Sequence, residues 1–440
     1  MRLPSDAALS PRSAAFVVPL APERRGPDVR IRTVMQVAIG LLLVGNLGRI
    51  PVFSTGGRDV PILITDLVVA VLIGAGAMAM ASHRTLRLDA VASFALLFAG
   101  VGAVSAALAI PRFDLSAFDV IVSLSYLVRW LFYFCVYVVA INSLRATDTE
   151  QVWSALEWTV LLFALFGIFQ SAFLPGFAQM VYPDARVYLD WDPQGRRLVS
   201  TFLDPNFAGG FILIGLVVSL ARLSTGVRVA PWKLLVLALA LLLTASRGSL
   251  LALIAGGGTV LLLSGLSKRV IRAIGAAAVL ILLALPKLLR FAASFNKLSI
   301  DKSALARITS WLHGWQVFKD HWMIGIGFNT WGYVSERYGW IRSFAATYAI
   351  DGGLLFVLVM TGVVGLTIYL AMLGSVVRAA RRVWRDRTMP AGARGLAVGA
   401  AASIPMIVVH SLFTNSLMHP FLMEALWVVW ALPFVAMKRR

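Results

Sequence analysis

The chain has 440 residues, of which 59% are hydrophobic and 14% are charged, and its mean hydropathy is +0.82. These values exclude an ordinary soluble domain of this length and predict that lipid surrounds most of the protein. The formal net charge of +19 does not indicate nucleic-acid binding, because the basic residues lie in short segments between apolar runs. The single cysteine, Cys135, excludes a disulfide framework and a cysteine-based metal site.

Apolar runs long enough to cross a hydrocarbon core of roughly 30 Å recur from residue 33 to the end of the chain. They predict an all-α fold, a polytopic transmembrane helical bundle of about 12 helices. The predicted spans are residues 33–50, 60–82, 89–110, 119–141, 152–174, 203–222, 232–246, 248–265, 269–289, 346–375, 394–413 and 419–437. The short pair beside Arg247 could instead form a hairpin that enters from one side. The Pro- and Arg-rich residues 1–32 are predicted to be a disordered cytoplasmic tail.

The distribution of Lys and Arg predicts the orientation of the bundle. With the N-terminus inside, the tail and the inner connections hold about 24 of the 40 basic residues, so both termini are predicted to be cytoplasmic. Two substantial loops then lie on the outer side, at about 175–202 and 290–345. The predicted organisation is the tail 1–32, nine helices in 33–289, the large outer loop 290–345, and three helices in 346–440.

The second outer loop contains an amphipathic pattern, which predicts a helix lying on the membrane surface. Arg307 lies on its polar face and is a candidate for substrate binding. The helix could pack on the bundle or could guide a lipid substrate. Its apolar positions, which recur at helical spacing, are Leu305, Ile308, Trp311, Leu312, Trp315 and Phe318.

Two arginines lie at membrane depth, where each costs roughly 2.5 to 3.5 kcal/mol to insert and therefore needs a partner or a function. Arg247 lies in a turn predicted at the outer boundary, where its guanidinium could hold a phosphate or could simply extend to the lipid–water interface. Arg129 lies in mid-span. Pairing with Asp66 or Glu424 would satisfy it structurally.

The first outer loop has a mixed cluster of charges that could be solvated or could bind a substrate. Its arginines are Arg186, Arg196 and Arg197, and its carboxylates include Asp190 and Asp192. The pair around Trp191 matches a metal-binding Asp motif only weakly, so no metal is assigned.

A helix start follows this loop. Asp204 followed by Pro205 is a favourable N-cap and first position, and Asn206 in the same turn could contact a sugar. Of the scarce histidines, His313 and His321 are candidate catalytic residues on the outer side. A Gly-rich phosphate loop is missing, and no inner segment is long enough to fold around a nucleotide, which argues against ATP or nucleotide-sugar substrates.

Four segments, taken in this order, resemble the O-antigen ligase and O-antigen polymerase superfamily of bacterial envelope proteins. They are Thr-Phe-Leu-Asp-Pro-Asn-Phe-Ala-Gly-Gly at 201–210, Thr-Ala-Ser-Arg-Gly-Ser at 244–249, residues 307–327 ending in Asp-His-Trp-Met-Ile-Gly-Ile-Gly, and Asp-Gly-Gly-Leu-Leu at 351–355 followed by Gly362 and Gly365.

The resemblance implies an inner-membrane glycosyltransferase that moves a glycan from undecaprenyl pyrophosphate to an acceptor on the periplasmic side. It implies that Arg186, Arg196 or Arg197, together with Arg247, hold the pyrophosphate. A pyrophosphate mainly needs its developing charge stabilised by fixed cations, so no metal or other cofactor is required. The expected partners are the lipid-linked glycan, the bilayer, a flippase and a chain-length regulator, and no nucleic acid is expected.

The chain departs from the ligases of this superfamily at one place. Ligases typically have a His-Asn pair where the long outer loop enters the next helix, whereas this chain has Asp351, as polymerase-like members often do. Asp351 is therefore the candidate general base, with His313 or His321 as substitutes, although it could also be a helix cap. The predicted function is polymerisation of surface-polysaccharide repeat units, with ligation to lipid A-core as the first alternative and secondary transport as the alternative of another class.

Overall fold

The computed structural model describes residues 29–50, 60–83, 86–182, 195–265, 297–340 and 350–438. Within these ranges the chain forms fourteen α-helices and one short antiparallel pair of strands, β1 (Arg49–Ile50) and β2 (Ile62–Leu63). The helices are α1 (Val29–Leu41), α2 (Ile64–His83), α3 (Ala90–Phe113), α4 (Ala117–Ser143), α5 (Thr149–Phe173), α6 (Phe177–Val181), α7 (Pro205–Ser224), α8 (Pro231–Leu243), α9 (Arg247–Ser264), α10 (Lys297–Asp320), α11 (Trp331–Arg337), α12 (Gly353–Arg385), α13 (Ala391–His410) and α14 (Pro420–Ala436).

The expected all-α polytopic bundle is confirmed. Eight of the described helices are long and apolar enough to cross a membrane, namely α2, α3, α4, α5, α7, α9, α12 and α13, and α1, α8 and α14 are shorter apolar helices. These eleven correspond to eleven of the twelve predicted spans. The remaining span, 269–289, lies outside the described residues, as does most of the predicted tail. The first helix begins at Val29, four residues earlier than predicted.

The core of the bundle surrounds α14, which is buried on all sides from Phe421 to Val435 apart from Phe434. Its neighbours include α4 and α13, and α13 in turn packs against α7, α9 and α12. A helix that is apolar around its whole circumference can face either other helices or lipid, and here the packing places α14 at the centre. The ends of α7, α9, α13 and α14 position the candidate site.

One end of the bundle, called the basic end below, is joined by ion pairs and hydrogen bonds. Arg32 pairs with Asp148 at 3.1 Å, and Arg222 pairs with Glu150 at 2.7 Å. Further hydrogen bonds at this end connect Thr225 to Ala391, Lys438 to Leu144 and Arg87 to Asn142. The name refers to the exposed arginines at and after the end of α12, which are Arg381, Arg382, Arg385 and Arg387.

The opposite end, called the site end, is where α7, α9, α12 and α14 begin. The Asn46 side chain donates to the Phe202 carbonyl at 2.7 Å there, and the Gly353 N–H donates to the Ser411 carbonyl at 2.5 Å. All four sequence segments that carry the family resemblance contribute to this end. The third, residues 307–327, begins there and continues deeper into the bundle.

Helix α12 is broken at Gly362, where φ is +66°. The break interrupts the helical hydrogen bonds from the N–H groups of residues 363 and 364 to the carbonyls of residues 359 and 360. All four groups find new partners in the segment Trp322–Gly327, which inserts into the break. The new bonds are Val363 N–H to Trp322 O (2.9 Å), Val364 N–H to Met323 O (3.3 Å), Ile326 N–H to Val359 O (3.0 Å) and Gly327 N–H to Met360 O (3.1 Å).

Complete hydrogen bonding is what makes irregular backbone tolerable inside a membrane protein. The hydroxyl of Ser105 on α3 lies 2.6 Å from the Ile324 carbonyl and 2.7 Å from the Met360 carbonyl, which further fixes the junction. The motif residues Gly325 and Gly362 are thereby explained, because a Cβ on either would lie within 2.5 Å of the opposing backbone.

Arg129 has a structural role in this bundle. Its guanidinium pairs with Asp66 at 3.1 Å and donates to the Pro61 carbonyl, and the Tyr133 hydroxyl donates to the same carboxylate at 2.7 Å. Asp66 is thus the partner, of the two considered from the sequence, that the structure provides. The other, Glu424, is fully buried in α14, and neither of its carboxyl oxygens has a hydrogen-bond partner among the described residues.

Candidate active site

Asp204 organises the start of α7. One of its carboxylate oxygens accepts the N–H groups of Asn206 (2.7 Å) and Phe207 (3.1 Å), so the predicted N-cap is confirmed. Burial raises the pKa of Asp204, while the two N–H donors and the guanidinium groups of Arg197 and Arg307 act in the opposite direction. The capping carboxylate of Asp204 therefore holds the first turn of α7 near the positive charges of Arg197 and Arg307.

Arg197 is buried and holds the turn between α8 and α9. Its Nε donates to the Thr244 carbonyl at 2.9 Å, and an Nη donates to the Ala245 carbonyl at 3.4 Å. The N–H of the next residue, Leu198, donates to the Leu243 carbonyl at 2.9 Å. These carbonyls end α8 and would otherwise lack partners, so Arg197 fixes the backbone from which Arg247 projects.

Arg247 occupies the first position of α9, directly after the N-cap Ser246. Its side chain is exposed, and within the described residues it has neither a hydrogen bond nor an ion pair. A guanidinium that is held on a fixed turn with its donors unused suits an anionic ligand. The assignment of Arg247 to substrate binding stays a prediction.

Arg307, on α10, lies near two carboxyl groups from different parts of the chain. Its guanidinium lowers the pKa of both Asp204 and Asp351. Asp351 lies just before α12, and its backbone N–H donates to the Ser310 hydroxyl at 3.1 Å. Burial is the stronger influence and raises the pKa of the Asp351 carboxyl, which has no hydrogen-bond partner among the described residues. Arg307 and Asp351 therefore combine a fixed cation with a carboxyl of enhanced basicity.

The two histidines proposed as substitutes face aromatic rings. His313 stacks on Trp340 with 3.9 Å between ring centroids, and His321 meets Phe113 edge to face at 5.4 Å. Burial, followed by the nearby Arg112, lowers the pKa of His321. Neither imidazole ring has a hydrogen bond within the part of the chain that the structure describes.

The first outer loop is described only in part. Arg186 and the Asp190–Asp192 segment lie outside the described residues. Arg196 is exposed beside the buried Arg197, and its backbone carbonyl accepts from the Ser171 hydroxyl at 2.5 Å. The described residues contain no group of three His, Cys, Asp or Glu side chains that could hold a metal ion.

A chain of buried polar groups, which the sequence did not suggest, runs behind Asn206. The Ser246 hydroxyl donates to the Asn206 carboxamide oxygen at 2.9 Å, and behind Ser246 lie Ser249, His410 and Ser416. One signal for it was available in the sequence. Gly209 and Gly210 stand together in the first turns of α7, and such a pair often marks a close approach by another element.

His419 is stacked beside this chain, 3.8 Å from Phe207 between ring centroids. Burial, reinforced by the proximity of His410, lowers its pKa to about 3. The ring is therefore neutral at physiological pH and contributes a flat packing surface against the first turn of α7.

Taken together, the site end presents two arginines and a carboxamide next to a buried carboxyl. Arg247 and Arg307 each offer a guanidinium to an anionic group, and Asp351 can accept a proton from a hydroxyl. The beginning of α7 and the beginning of α9 add the positive ends of two helix dipoles.

Residues 232–370 match the family model Wzy_C, which is described as O-antigen ligase. The matched region extends from α8 into α12 and contains Arg247, Arg307 and Asp351, whereas Arg197 and Asn206 precede it. No curated protein matches the chain.

Proposed function

Because the chain belongs to the O-antigen ligase and polymerase superfamily of membrane enzymes, we propose that it polymerises the repeat units of a surface polysaccharide. In this proposal it transfers a growing glycan from undecaprenyl pyrophosphate to an acceptor sugar on the periplasmic side of the inner membrane. A flippase that delivers the lipid-linked unit and a regulator of chain length are the partners that such a reaction needs.

The observation that carries the proposal is the presence of two arginines with unused donors at one end of an apolar bundle. Arg247 has no partner among the described residues, and Arg307 has no hydrogen bond or ion pair there although it faces two carboxyl groups. Transfer of the glycan breaks a sugar–phosphate bond and leaves negative charge on the pyrophosphate. Fixed guanidinium groups stabilise that charge more in the transition state than in the bound substrate.

Asp351 is the proposed general base. Its partly buried position raises its pKa, which increases its affinity for the proton of the acceptor hydroxyl while the nearby Arg307 keeps part of it ionised. The proton leaves the hydroxyl as its oxygen attacks the anomeric carbon, and the electron pair of the broken bond goes to the pyrophosphate.

The positions of the charged residues support an orientation of the bundle in the membrane. The exposed arginines at and after the end of α12 belong to the basic end, and basic residues accumulate on the cytoplasmic side of membrane proteins. We therefore assign the site end to the periplasm, together with the outer loops expected from the sequence.

The apolar face of α10 supports a lipid-linked substrate. Leu305, Ile308, Leu312 and Trp315 are exposed along one side of this helix, while Gly314 and Val317 pack towards the bundle. Lipid is the environment in which such an apolar face is stable. A polyprenyl chain moving along this surface would reach Arg307, which lies between Leu305 and Ile308.

Ligation of glycan to lipid A-core is the second candidate, because the matching family model is described as O-antigen ligase. A gene deletion examined by polysaccharide gel electrophoresis separates the candidates. Loss of the polymerase leaves single repeat units on lipid A, loss of the ligase removes O-antigen from it, and unchanged ladders would reject both.

The direct test uses purified protein and a lipid-linked repeat unit. We expect Arg247→Ala to lower kcat/KM for transfer by about 100-fold or more, since it removes a donor to the leaving group. Arg247→Lys should recover part of the loss, because it restores the charge without the forked geometry.

Arg387→Ala, at the basic end, is the matched control and should transfer at the wild-type rate. Turnover by Arg247→Ala at the wild-type rate, with normal expression and folding, would remove Arg247 from the mechanism.

A further inference from the structure

We propose that His410 is a positioning residue for Asn206. Acting through the hydroxyls of Ser249 and Ser246, it holds the carboxamide so that the amide nitrogen is presented to the substrate as a hydrogen-bond donor. The acceptor would be an oxygen of the lipid-linked glycan, on either the pyrophosphate or the sugar beside it. This inference rests on the proposed function and adds residues from α13 and the turn before α14, which lie outside the region matched by the family model.

The chain of contacts runs without a gap from Ser416, in the turn before α14, to Asn206 at the start of α7. Ser416 lies 2.6 Å from Nδ1 of His410, and Nε2 of the same ring lies 3.0 Å from the Ser249 hydroxyl. The Ser249 hydroxyl donates to the Ser246 hydroxyl at 2.9 Å, and Ser246 donates to the carboxamide oxygen of Asn206 at 2.9 Å. All four side chains behind Asn206 are almost fully buried, namely Ser246, Ser249, His410 and Ser416.

We assign the directions of the hydrogen bonds from the Asn206 end of the chain, where the carboxamide oxygen faces the Ser246 hydroxyl. Since Ser246 gives its single hydroxyl proton to Asn206 and Ser249 gives its proton to Ser246, the Ser249 oxygen must accept from His410. The imidazole then carries its proton on Nε2, and its Nδ1 accepts from Ser416. In each of the four hydrogen bonds, the group farther from Asn206 along the chain of contacts is therefore the donor.

The same arrangement defines which way the Asn206 amide nitrogen faces. The hydroxyl of Ser246 can donate only to the carboxamide oxygen, so the amide nitrogen is on the other side of the group. That nitrogen has no hydrogen-bond partner within the described residues, and Asn206 is partly exposed at the site end. A fixed donor next to Asp204 and the start of α7 is suited to an oxygen acceptor.

The glycines of the same segment make room for these contacts. A Cβ on Gly209 would lie 2.3 Å from the Ser249 hydroxyl, and a Cβ on Gly210 would lie 2.9 Å from the His410 ring. The close approach of α7 to α9 and α13 therefore depends on this glycine pair. It brings Ser246 within hydrogen-bonding distance of the Asn206 side chain and Ser249 within hydrogen-bonding distance of His410.

The test measures kcat and KM for transfer from the lipid-linked repeat unit. Removing His410, Ser249 or Ser416 frees the carboxamide to rotate, so we expect His410→Ala, Ser249→Ala and Ser416→Ala each to raise KM about five- to tenfold, the effect of losing one oriented hydrogen bond. The value of kcat should change less, because the bond is present in the bound substrate as well as in the transition state.

The double variant with Asn206→Ala distinguishes positioning from general stability. If His410 acts through Asn206, His410→Ala should raise KM little further once Asn206 is already alanine, so the two effects are not additive. Additive increases in KM, or an unchanged KM in Ser249→Ala and Ser416→Ala, would overturn the proposal even if His410→Ala fails to fold.

Ser403→Ala is the matched control. Ser403 is a buried serine on the same helix as His410, and its hydroxyl bonds within α13 and accepts from Trp430. Its replacement should leave KM unchanged, and a rise equal to that of Ser416→Ala would contradict the proposal.

Two further comparisons separate the possible causes of a result. Inhibition by undecaprenyl pyrophosphate without sugar should weaken in Asn206→Asp if the acceptor is a pyrophosphate oxygen, and should remain unchanged if it is a sugar oxygen. Wild-type transfer that is abolished by Arg247→Ala but shows unchanged KM in the serine variants would refute this inference and leave the proposed function intact. Absence of any transfer by the wild-type protein would instead refute the proposed function.

Discussion

Arg307 brings a positive charge of α10 near the two carboxyl groups of the site. It lies near Asp204, which caps α7, and near Asp351, which precedes α12, and it lowers the pKa of both. Burial nevertheless raises the pKa of Asp351 above its usual value of 3.8. The balance between burial and the guanidinium determines the pH at which this carboxyl can act as a base.

The raised pKa of Asp351 predicts how the rate of transfer depends on pH. A general base works only when it is ionised, so kcat/KM should fall on acidification as Asp351 becomes protonated, at a pH above that of an ordinary carboxyl. Arg307→Gln removes the influence that lowers the pKa, and we expect it to move this acidic limb to higher pH. The measurement is kcat/KM against pH in detergent micelles, which reports the free enzyme.

Two variants serve as controls for this profile. Arg337→Gln removes an exposed arginine whose partner is Asp114, and it should leave the limb in place. Asp351→Asn should slow transfer strongly and remove the limb altogether. A limb that stays fixed in Arg307→Gln, or moves to lower pH, would exclude Asp351 as the titrating base.

At the residue scale the sequence identified charges but not how they are used. Arg247 and one of Arg186, Arg196 or Arg197 were expected to bind a pyrophosphate. The structure shows that Arg197 donates to the carbonyls that end α8, whereas Arg247 is exposed. The distinction depends on which backbone groups come near each guanidinium. The link from Asn206 to His410 was not predicted for the same reason, since it joins residues about 200 positions apart through contacts among three helices.

At the scale of the element, α12 is defined by its break. The helix is continuous in hydropathy, and the sequence therefore predicted one uninterrupted span at 346–375. The positive φ at Gly362 and the insertion of Trp322–Gly327 divide it into two parts. The glycines were recognised in the sequence as parts of a motif, but nothing in their spacing indicated that one segment enters the other.

Gly362→Ala tests the importance of this junction. Alanine at a positive φ is strained, and its Cβ would lie 2.1 Å from the Met323 carbonyl oxygen, so we expect a loss of at least about 3 kcal/mol in the free energy of unfolding. The measurement is thermal unfolding of the purified protein in detergent, together with the yield of monodisperse protein.

Gly374→Ala, on the same helix, is the control for this change. A Cβ at Gly374 would meet no other atom within 4 Å, so alanine there should be neutral or stabilise by up to about 1 kcal/mol. Equal stability of the two alanine variants would show that the break does not require glycine.

Helix α10 shows what periodicity can predict about an element. The apolar spacing from Leu305 to Phe318 predicted an amphipathic helix, and the structure has a helix at 297–320 with much of that apolar face exposed. The spacing could not show which residues of the helix would touch the bundle. Those contacts place Ser310 and Trp311 beside Asp351 and Gly352.

At the scale of the whole molecule, hydropathy alone predicted the helical bundle, because the length of an apolar run directly reflects the thickness of the hydrocarbon core. Residue counts could not show that α14 would be central and α2 peripheral, since both are strongly apolar. The mutual arrangement of helices depends on side-chain packing between them, including the small residues that permit close approach.

The assignment of the two ends to the two sides of the membrane can be tested by labelling. Cys135 is the only cysteine, so one substitution gives a cysteine-free background. Asp114→Cys, in the exposed α3–α4 turn at the site end, should react with an impermeant thiol reagent added to spheroplasts. Thr388→Cys, in the exposed α12–α13 turn, should react only after the membrane is opened.

Both positions lie outside the proposed catalytic groups, so labelling can be done on active protein. The reverse pattern, with Thr388→Cys labelled in intact spheroplasts, would place Arg247 and Arg307 in the cytoplasm. A periplasmic transfer reaction would then be impossible for this chain.

The broken helix also has a consequence for how the chain is made. While α12 enters the bilayer, four backbone groups around its break have no partner within the helix, and such groups are costly in hydrocarbon. The segment that supplies the missing partners, Trp322–Gly327, precedes the break in the chain and has therefore left the ribosome first. The order of synthesis thus makes Trp322–Gly327 available before α12 is inserted. The four backbone groups at the break can then form their hydrogen bonds as soon as α12 enters the bilayer.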